Sequence, residues 1–448
     1  MNYRYRNAEE MKDSGVEWIG KIPKEWSISR ISKEFIIRNE KVSDKDFAPL
    51  SVTKQGILPQ LDSVAKSDNG DNRKRVCVGD FVINSRADRK GSCGTSSYDG
   101  SVSLICNVLT PKYLDSQYIH SLFRNYYFSE EFYRWGSGIV DDLWSTNIEK
   151  MKKINIPKPN KNEDKKIAKF LDEKTAQFDF IISKKETLIE KLEEAKKSLI
   201  SEVVTGKVKV VKSCDGYELV ERKKEEMKDS GVEWLGDIPK EWDLKRSNYV
   251  FKFSKGLSIT KENLKDEGIP CINYGEIHSK YGFEVNPKRH KLKCVTEEYF
   301  NSNPNALIKY GHFVFADTSE DIQGCGNFSY LNAEDSIFAG YHTIIVRPIK
   351  TVSSRYLAYL FDSDDWRIQI RTKVSGIKVF SITQSILKTT KVILPTLSEQ
   401  KLIVDYLDNK FVNINSMINN MKKQIEKLKE AKQSLISEAV TGKIEILD

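Results

Sequence analysis

Residues 11–26 read MKDSGVEWIGKIPKEW, and residues 227–242 read MKDSGVEWLGDIPKEW. The two stretches lie 216 residues apart and differ only at Ile19/Leu235 and Lys21/Asp237. A second pair follows. Residues 190–207 are EKLEEAKKSLISEVVTGK and residues 426–443 are EKLKEAKQSLISEAVTGK, an offset of 236. Two long matches in the same order mark an internal duplication. The larger second offset puts about twenty extra residues between the same landmarks of the second copy, as loop insertions would.

Between the landmarks the copies diverge around a shared skeleton. Val78-Gly79-Asp80-Phe81-Val82-Ile83 parallels Tyr310-Gly311-His312-Phe313-Val314-Phe315. Cys93-Gly94 parallels Cys325-Gly326, and Ser137-Gly138-Ile139 parallels Ser375-Gly376-Ile377. Short β-rich runs punctuated by Gly and Pro (76–84, 101–109, 311–316, 337–347) precede helical stretches at roughly 114–134 and 354–372. Each copy is therefore expected to be a mixed α/β (α+β) domain with a curved sheet.

Each domain is followed by a long helix. Over 163–205, Ile167, Leu171, Phe178, Ile181, Leu188, Leu192, Ala195 and Leu199 fall at three- and four-residue steps. Over 399–441 the series is Ile403, Leu407, Ile414, Met417, Met421, Leu428, Ala431 and Leu435. This is a coiled-coil seam with Lys and Glu on the other faces. Ser398 can cap the second helix, and Gly206 and Gly442 stand where a left-handed C-terminal residue is wanted. At about 1.5 Å per residue each helix is roughly 60 Å long. Burying both seams is simplest if the helices pair with each other. Antiparallel pairing would give two domains related by a pseudo-twofold axis. The expected division is 1–158 for the first domain and 159–208 for its helix, a linker at 209–226, then 227–395 and 396–448 for the second pair.

Composition suits this plan. The 448 residues are too many for one ordinary core, and 39% are hydrophobic against 30% charged. The formal charge of +8 is a weak pointer to a polyanion partner. No apolar run is long enough to cross a bilayer and MNYRYRNAEE has no signal-peptide core, so a cytoplasmic protein without membrane contact is expected. The seven cysteines form no CxxC pair, which fits a reduced chain without structural zinc.

Catalytic signatures are missing. There is no GxxxxGK[ST] loop and no HExxH, and His120, His278, His290, His312 and His342 lack metal-ligand spacing. Asn303-Pro304-Asn305 is not the Asn-Pro-Pro-aromatic signature with which amino-methyltransferases hold adenine. Gly91-Ser92-Cys93-Gly94 is too short for a cofactor loop. The pairs Asp141-Asp142 and Asp364-Asp365 are better explained as a solvated loop or helix start than as a metal site. The chain reads as a binding subunit with no catalytic residue, metal or bound cofactor of its own.

These parts together resemble the specificity subunit of type I restriction–modification systems. They are a domain opening with GVEWIGKIPKEW, then GDFVI, then Pro159 or Pro395 four residues before Glu163 or Glu399, then a seam helix ending SLISEVVTGK, all given twice. Leu397-Ser398-Glu399-Gln400-Lys401-Leu402-Ile403 matches the family's helix start; the first copy departs there with Asn162-Glu163-Asp164-Lys165-Lys166-Ile167. The resemblance implies that each globular domain is a target-recognition domain reading one half of a split, asymmetric double-stranded DNA sequence, with the helices fixing the spacer. It implies two modification subunits carrying S-adenosylmethionine and adenine-N6 methylation. ATP- and magnesium-dependent restriction subunits are optional partners. Two other classes compete: a self-sufficient DNA methyltransferase or nuclease with a coiled-coil insert, and a coiled-coil scaffold with no DNA role. The missing motifs oppose the first, and the two large divergent domains oppose the second.

Charge does not single out one domain: 11–158 holds 23 Lys/Arg against 19 acids, and 227–395 holds 23 against 20. Any DNA footprint must be local. In the first domain the candidates are Arg73, Lys74 and Arg75, and the Arg86, Arg89, Lys90 loop with Ser92, Thr95 and Ser96. Arginine on a guanine edge discriminates by about 1–3 kcal/mol, while Lys, Ser and Thr more often hold phosphate. In the second domain Lys288, Arg289, His290, Lys291 and Lys293 form the clearest basic cluster. Thr318, Ser319, Gln323 and Asn327 replace the arginines of the Arg86 loop, and Gln and Asn suit adenine edges. Lys54 and Gln55, and Tyr274 with His278, lie in an earlier loop of each domain. Taken singly, each of these residues is more simply read as a solvated surface side chain; the 86–96 loop as a group makes the stronger case. Trp18, Trp26, Trp234 and Trp242 recur at matching positions, which suits packing better than base stacking.

Overall fold

The structure is a computed structural model that describes residues 2–60, 70–138, 144–214, 216–349 and 351–447. The chain forms two compact units, Met1–Thr187 with Met421–Asp448, and Leu188–Asn420. Ile139 and the Asp141-Asp142 pair lie outside the described residues.

In the first unit a four-stranded antiparallel sheet has the order Cys93–Thr95, Phe81–Asn84, Cys106–Pro111, Phe35–Ile37. Phe81–Asn84 is wholly buried, as a central strand covered on both faces must be. Beside the sheet lie a three-stranded sheet (Gly100–Val102, Arg73–Val76, Lys41–Val42) and the hairpin Leu50–Thr53/Gly56–Pro59. The helical stretch is two helices, Ser116–Arg124 and Tyr126–Arg134. Asp115 caps the first, and Asn125 ends it and caps the second by accepting from the Tyr127 N–H. Phe123 and Phe128 stack at 4.3 Å across that break and close the core over Phe81.

The second unit repeats the plan with one strand more. Its main sheet runs Phe251–Lys255, Thr343–Pro348, Phe313–Ala316, Phe328–Leu331, Phe283–Val285. The offset between copies is 216 at Phe35/Phe251 and 232 at Phe81/Phe313, so most of the insertion falls before the central strand. It is not only loop: it carries the helix Tyr274–Ser279 and the strand Phe283–Val285, which pairs parallel with Phe328–Leu331. Arg355 ties this strand to the second long helix, bonding Glu284 on one side and Asp408 at 2.8 Å on the other.

The skeleton residues have a structural reason. Gly79 and Gly311 adopt φ of 88° and 79°, turning the chain into the central strand. The next side chain caps that turn: Asp80 accepts from the Cys77 N–H at 2.8 Å, and His312 Nδ1 accepts from the Lys309 N–H at 3.2 Å. Two different side chains supply one acceptor. Burial, with Arg347 and Lys309 nearby, lowers the His312 pKa to about 4 and keeps that acceptor neutral.

The long helices are Glu163–Val204 and Leu397–Val440. They run antiparallel. In the first unit Lys432 meets Asp179 at 2.7 Å and Lys185 meets Gln424 at 2.7 Å; in the second Lys196 meets Asn415 at 2.7 Å. The buried seam differs from the expected one at mid-helix. Ile181, Leu188 and Met417 are exposed, and Ile182, Ile189 and Ile418 are buried instead. A nearly straight helix drifts by about 20° per heptad, so the seam advances by an eleven-residue step from Leu171 to Ile182 and from Ile189 to Ile200. Thr396, not Ser398, caps the second helix, its hydroxyl accepting from the Glu399 N–H at 3.3 Å.

The nearly invariant landmarks meet in space within each unit. Trp26 donates from Nε1 to Glu163 at 2.7 Å, and Trp242 does the same to Glu399 at 2.7 Å. Arg6 and Arg222 pair with those same carboxylates. Gly442 and Gly206, at φ of 73° and 79°, lie so close to Pro23/Trp26 and Pro239/Trp242 that an added Cβ would sit 2.6 and 2.5 Å from proline carbons. The IPKEW opening, the helix-start glutamate and the TGK end are one joint, which is why they share one sequence. Trp26 and Trp242 are 1% exposed, so packing and not base stacking is their role.

Candidate nucleic-acid interface

Sheet register decides which loops lie together. The central strand ends at Asn84, opposite Cys106, and Ile83 faces Cys93, so three loops leave one edge of the first sheet: 85–92, 103–105 and the segment returning to Ser145. Arg86 and Ser137 both bridge to Ser145. In the second unit Ala316 faces Thr343, and the matching loops are 317–327, 340–342 and 372–381. There Thr318 pairs with Ser381, as does Ser375. Both units thus present the same three loops on the same frame.

The sequence candidates separate on this frame. Arg86 is exposed beside Ser145, and Arg89 is 68% exposed with Asp88 at 3.5 Å as its ion-pair partner. Lys90 is half-exposed and pairs with Glu130. Lys54 and Gln55 form the exposed tip of their hairpin, which Arg124 holds against the sheet by donating to Lys54 O at 2.6 Å. Lys54 and Lys90 line a groove of about 1110 Å³ bounded by Tyr126, Tyr127 and the 429–438 stretch of the second long helix.

Six first-domain candidates expected on the surface are instead tied into the fold. Arg73 is 7% exposed, donates to Ser101 Oγ and O at 2.9 and 3.1 Å, and has its pKa lowered by burial. Lys74 donates to Cys106 O at 2.7 Å, and burial lowers its pKa too. Arg75 stacks on Phe47 at 3.6 Å. Ser92 and Ser96 are buried turn residues, and the Thr95 hydroxyl donates to Ser116 O at 3.0 Å. These side chains hold the loops but do not tip them.

In the second unit four candidates from distant stretches converge. His278 contacts Thr318 O at 2.8 Å through Nε2 and Asn327 Nδ2 at 2.9 Å through Nδ1. Asn327 accepts from Arg367 at 2.7 Å, and Tyr274 packs edge-on to His278. Ser319 is buried and donates to Asp321 O, so it too is structural, and Gln323 is exposed. The cluster of Lys288, Arg289, Lys291 and Lys293 is exposed but lies on the inserted segment, away from the three-loop edge in sequence register. Lys288 and Arg289 carry ion pairs to Asp335 at 3.4 Å and Glu284 at 3.3 Å, and Lys293 pairs with Asp266. His290 stacks on Tyr281 at 4.8 Å.

Sequence reasoning missed the 103–105 and 340–342 loops. Leu104 and Ile105 in the first unit correspond to Tyr341 and His342 in the second, and all lie at the three-loop edge next to the Arg86 or Thr318 loop. Lys373 and Lys378, exposed in 372–379, were missed as well. Only strand register brings these positions to the edge. Among the described residues no group of His, Cys, Asp and Glu is arranged to hold a metal, and no helix is long and apolar enough to cross a membrane.

The family model described as the type I restriction modification DNA specificity domain matches residues 28–194 and again 239–427. The chain belongs to this family. Both matched stretches therefore include the three loops and a large part of a long helix. The MjaVIII specificity subunit of a type I restriction enzyme from Methanocaldococcus jannaschii is 25% identical over 296 residues, 65% of this chain and 63% of the relative. The EcoKI specificity subunit from Escherichia coli is 23% identical over 213 residues, 47% of this chain and 44% of the relative. These matches span less than two thirds of either relative. A chain from a structure described for the complex assembly and conformational transition of the type I R-M system superposes with a TM-score of 0.67. It covers 94% of this chain and 98% of that one at 15% identity, a likeness of fold.

Proposed function

We propose that the chain is a non-catalytic DNA-reading subunit that recognises a bipartite, asymmetric target, one half-site per domain, and directs adenine methylation or cleavage by partner subunits. The carrying observation is that two copies of one frame present the same three loops with different side chains. The first edge offers Arg86 and Arg89, and the second offers Thr318, Gln323 and a histidine–aspartate pair. Unequal loops on equal frames are what two unlike half-sites require. Lys54 and Gln55 at the hairpin tip, and Lys90 beside them, extend the first footprint. Tyr274, His278 and Asn327 brace the second.

The long helices would set the spacer, each running for 42 or 44 residues with a buried apolar seam. Modification subunits would bring S-adenosylmethionine, and restriction subunits ATP and magnesium; this chain supplies position. The assembled methyltransferase is tested on duplexes carrying both half-sites with the spacer lengthened or shortened by one base pair. Each base pair rotates one half-site by about 35° relative to the other, so methylation is expected to drop at least tenfold. Methylation indifferent to spacer length would refute the ruler.

A further inference from the structure

We infer that Asp317, positioned by His342, is a base-reading residue of the second half-site, and that it accepts a hydrogen bond from an exocyclic amino group of adenine or cytosine in the major groove. This rests on the DNA-reading function proposed above.

Asp317 directly follows the central strand of the second sheet, and His342 directly precedes the strand paired with it. Both are therefore at the reading edge. Their side chains meet at 3.1 Å, Nδ1 to Oδ1, and Asp317 N–H donates to His342 O at 3.1 Å. Asp317 O in turn accepts from the Ile382 N–H at 2.7 Å. The adjoining Thr318 carbonyl is held by His278, itself fixed by Asn327, which accepts from the half-buried Arg367. The backbone of Asp317 is thus bonded through both its N–H and its C=O, and its carboxylate meets His342 yet is 33% exposed, with His342 57% exposed. Among the described residues Asp317 Oδ2 has no hydrogen-bond partner.

Two features separate this pair from an ordinary surface ion pair. His342 has φ of 52°, a left-handed conformation uncommon outside glycine that histidine enters more readily than most residues, and it turns the imidazole toward Asp317. Tyr274 and Tyr341 pack beside it, their rings 5.3 and 6.0 Å from the imidazole. The second feature is charge. A carboxylate at an edge that faces phosphates weakens binding to every sequence unless it meets a donor. It can only accept hydrogen bonds, and in the major groove the donors are adenine N6 and cytosine N4. The first unit carries Ser85, which is buried, and Ile105 at the same two positions, so this chemistry belongs to one half-site alone.

The test uses the full chain assembled with its methyltransferase partner. Binding to a library of duplexes randomised in both half-sites first defines the target. Each adenine or cytosine of the second half-site is then replaced singly by purine or by 2-pyrimidinone, which lack the amino group. The wild type is expected to lose on the order of ten- to hundredfold in affinity at one position. D317A is expected to show the same loss on the natural duplex and no further loss with the analogue there. Which analogue acts tells adenine from cytosine. H342A should relax the same position, and H342N, which tolerates left-handed backbone and can donate to Asp317, should restore it; a purely structural histidine would not show that base-specific rescue. First half-site preference and unfolding temperature establish that each variant is folded. If D317A keeps full sensitivity to every analogue, or loses affinity equally for all sequences, the inference is wrong. If the wild type shows no base preference in the second half-site, the DNA-reading function itself fails.

Discussion

Substituting Trp242 by Phe tests the joint that explains the duplicated landmarks. Trp242 is 1% exposed and donates at 2.7 Å to Glu399, whose other oxygen pairs with Arg222. Phenylalanine keeps most of the packing and removes the N–H. A hydrogen bond to a charged group contributes about 1.5–3 kcal/mol, and the smaller ring adds about 1 kcal/mol of lost burial. W242F is therefore expected to cost about 2–4 kcal/mol. A double-mutant cycle with E399Q isolates the contact, read by urea unfolding followed by circular dichroism, because the chain's seven tryptophans confuse fluorescence. The coupling should be about 1.5–3 kcal/mol. W26F with E163Q repeats the experiment in the first unit, where the bond is again 2.7 Å. A coupling near zero in both cycles, or a large one in only one, would refute a shared joint as the reason for the shared sequence.

Three other outcomes follow from the geometry. R355M should destabilise the second unit by about 1–3 kcal/mol, a figure reduced for the partial exposure of Arg355 and Asp408, because it leaves Glu284 and Asp408 without their common cation; unfolding of wild type and variant in urea measures this. His312 is held neutral with a pKa of about 4 against an ordinary 6.5. The folded state therefore binds fewer protons, its contribution is whole above pH about 6.5 and is lost as pH falls toward 4. H312D, the first unit's residue at that turn, should remove this loss, seen as a flatter stability–pH curve over that range. R86A with R89A should relax base preference in the first half-site by about 1–3 kcal/mol per lost guanine contact and leave the second unchanged, read by the same library selection.

The sequence alone determined the duplication, the order of domain and helix in each copy, and the absence of catalytic motifs, because each is a matter of pattern along the chain. It also placed Arg86, Thr318 and their neighbours in loops, since Gly and strand-forming residues punctuate both copies alike. What it could not show is which polar side chains are used up inside the fold. Arg73 and Arg86 look alike in sequence; one lies within a strand and is consumed by Ser101, the other follows a strand and stands clear. The seam residues Ile182 and Ile189 were masked by Ile181 and Leu188 because a heptad template ignores the slow drift of a straight helix. The landmarks were visible as repeats, yet only tertiary structure showed that they touch one another. The edge where the three loops meet is likewise set by tertiary structure: strand register, which no local pattern encodes, brings Asp317 against His342 from 25 residues away.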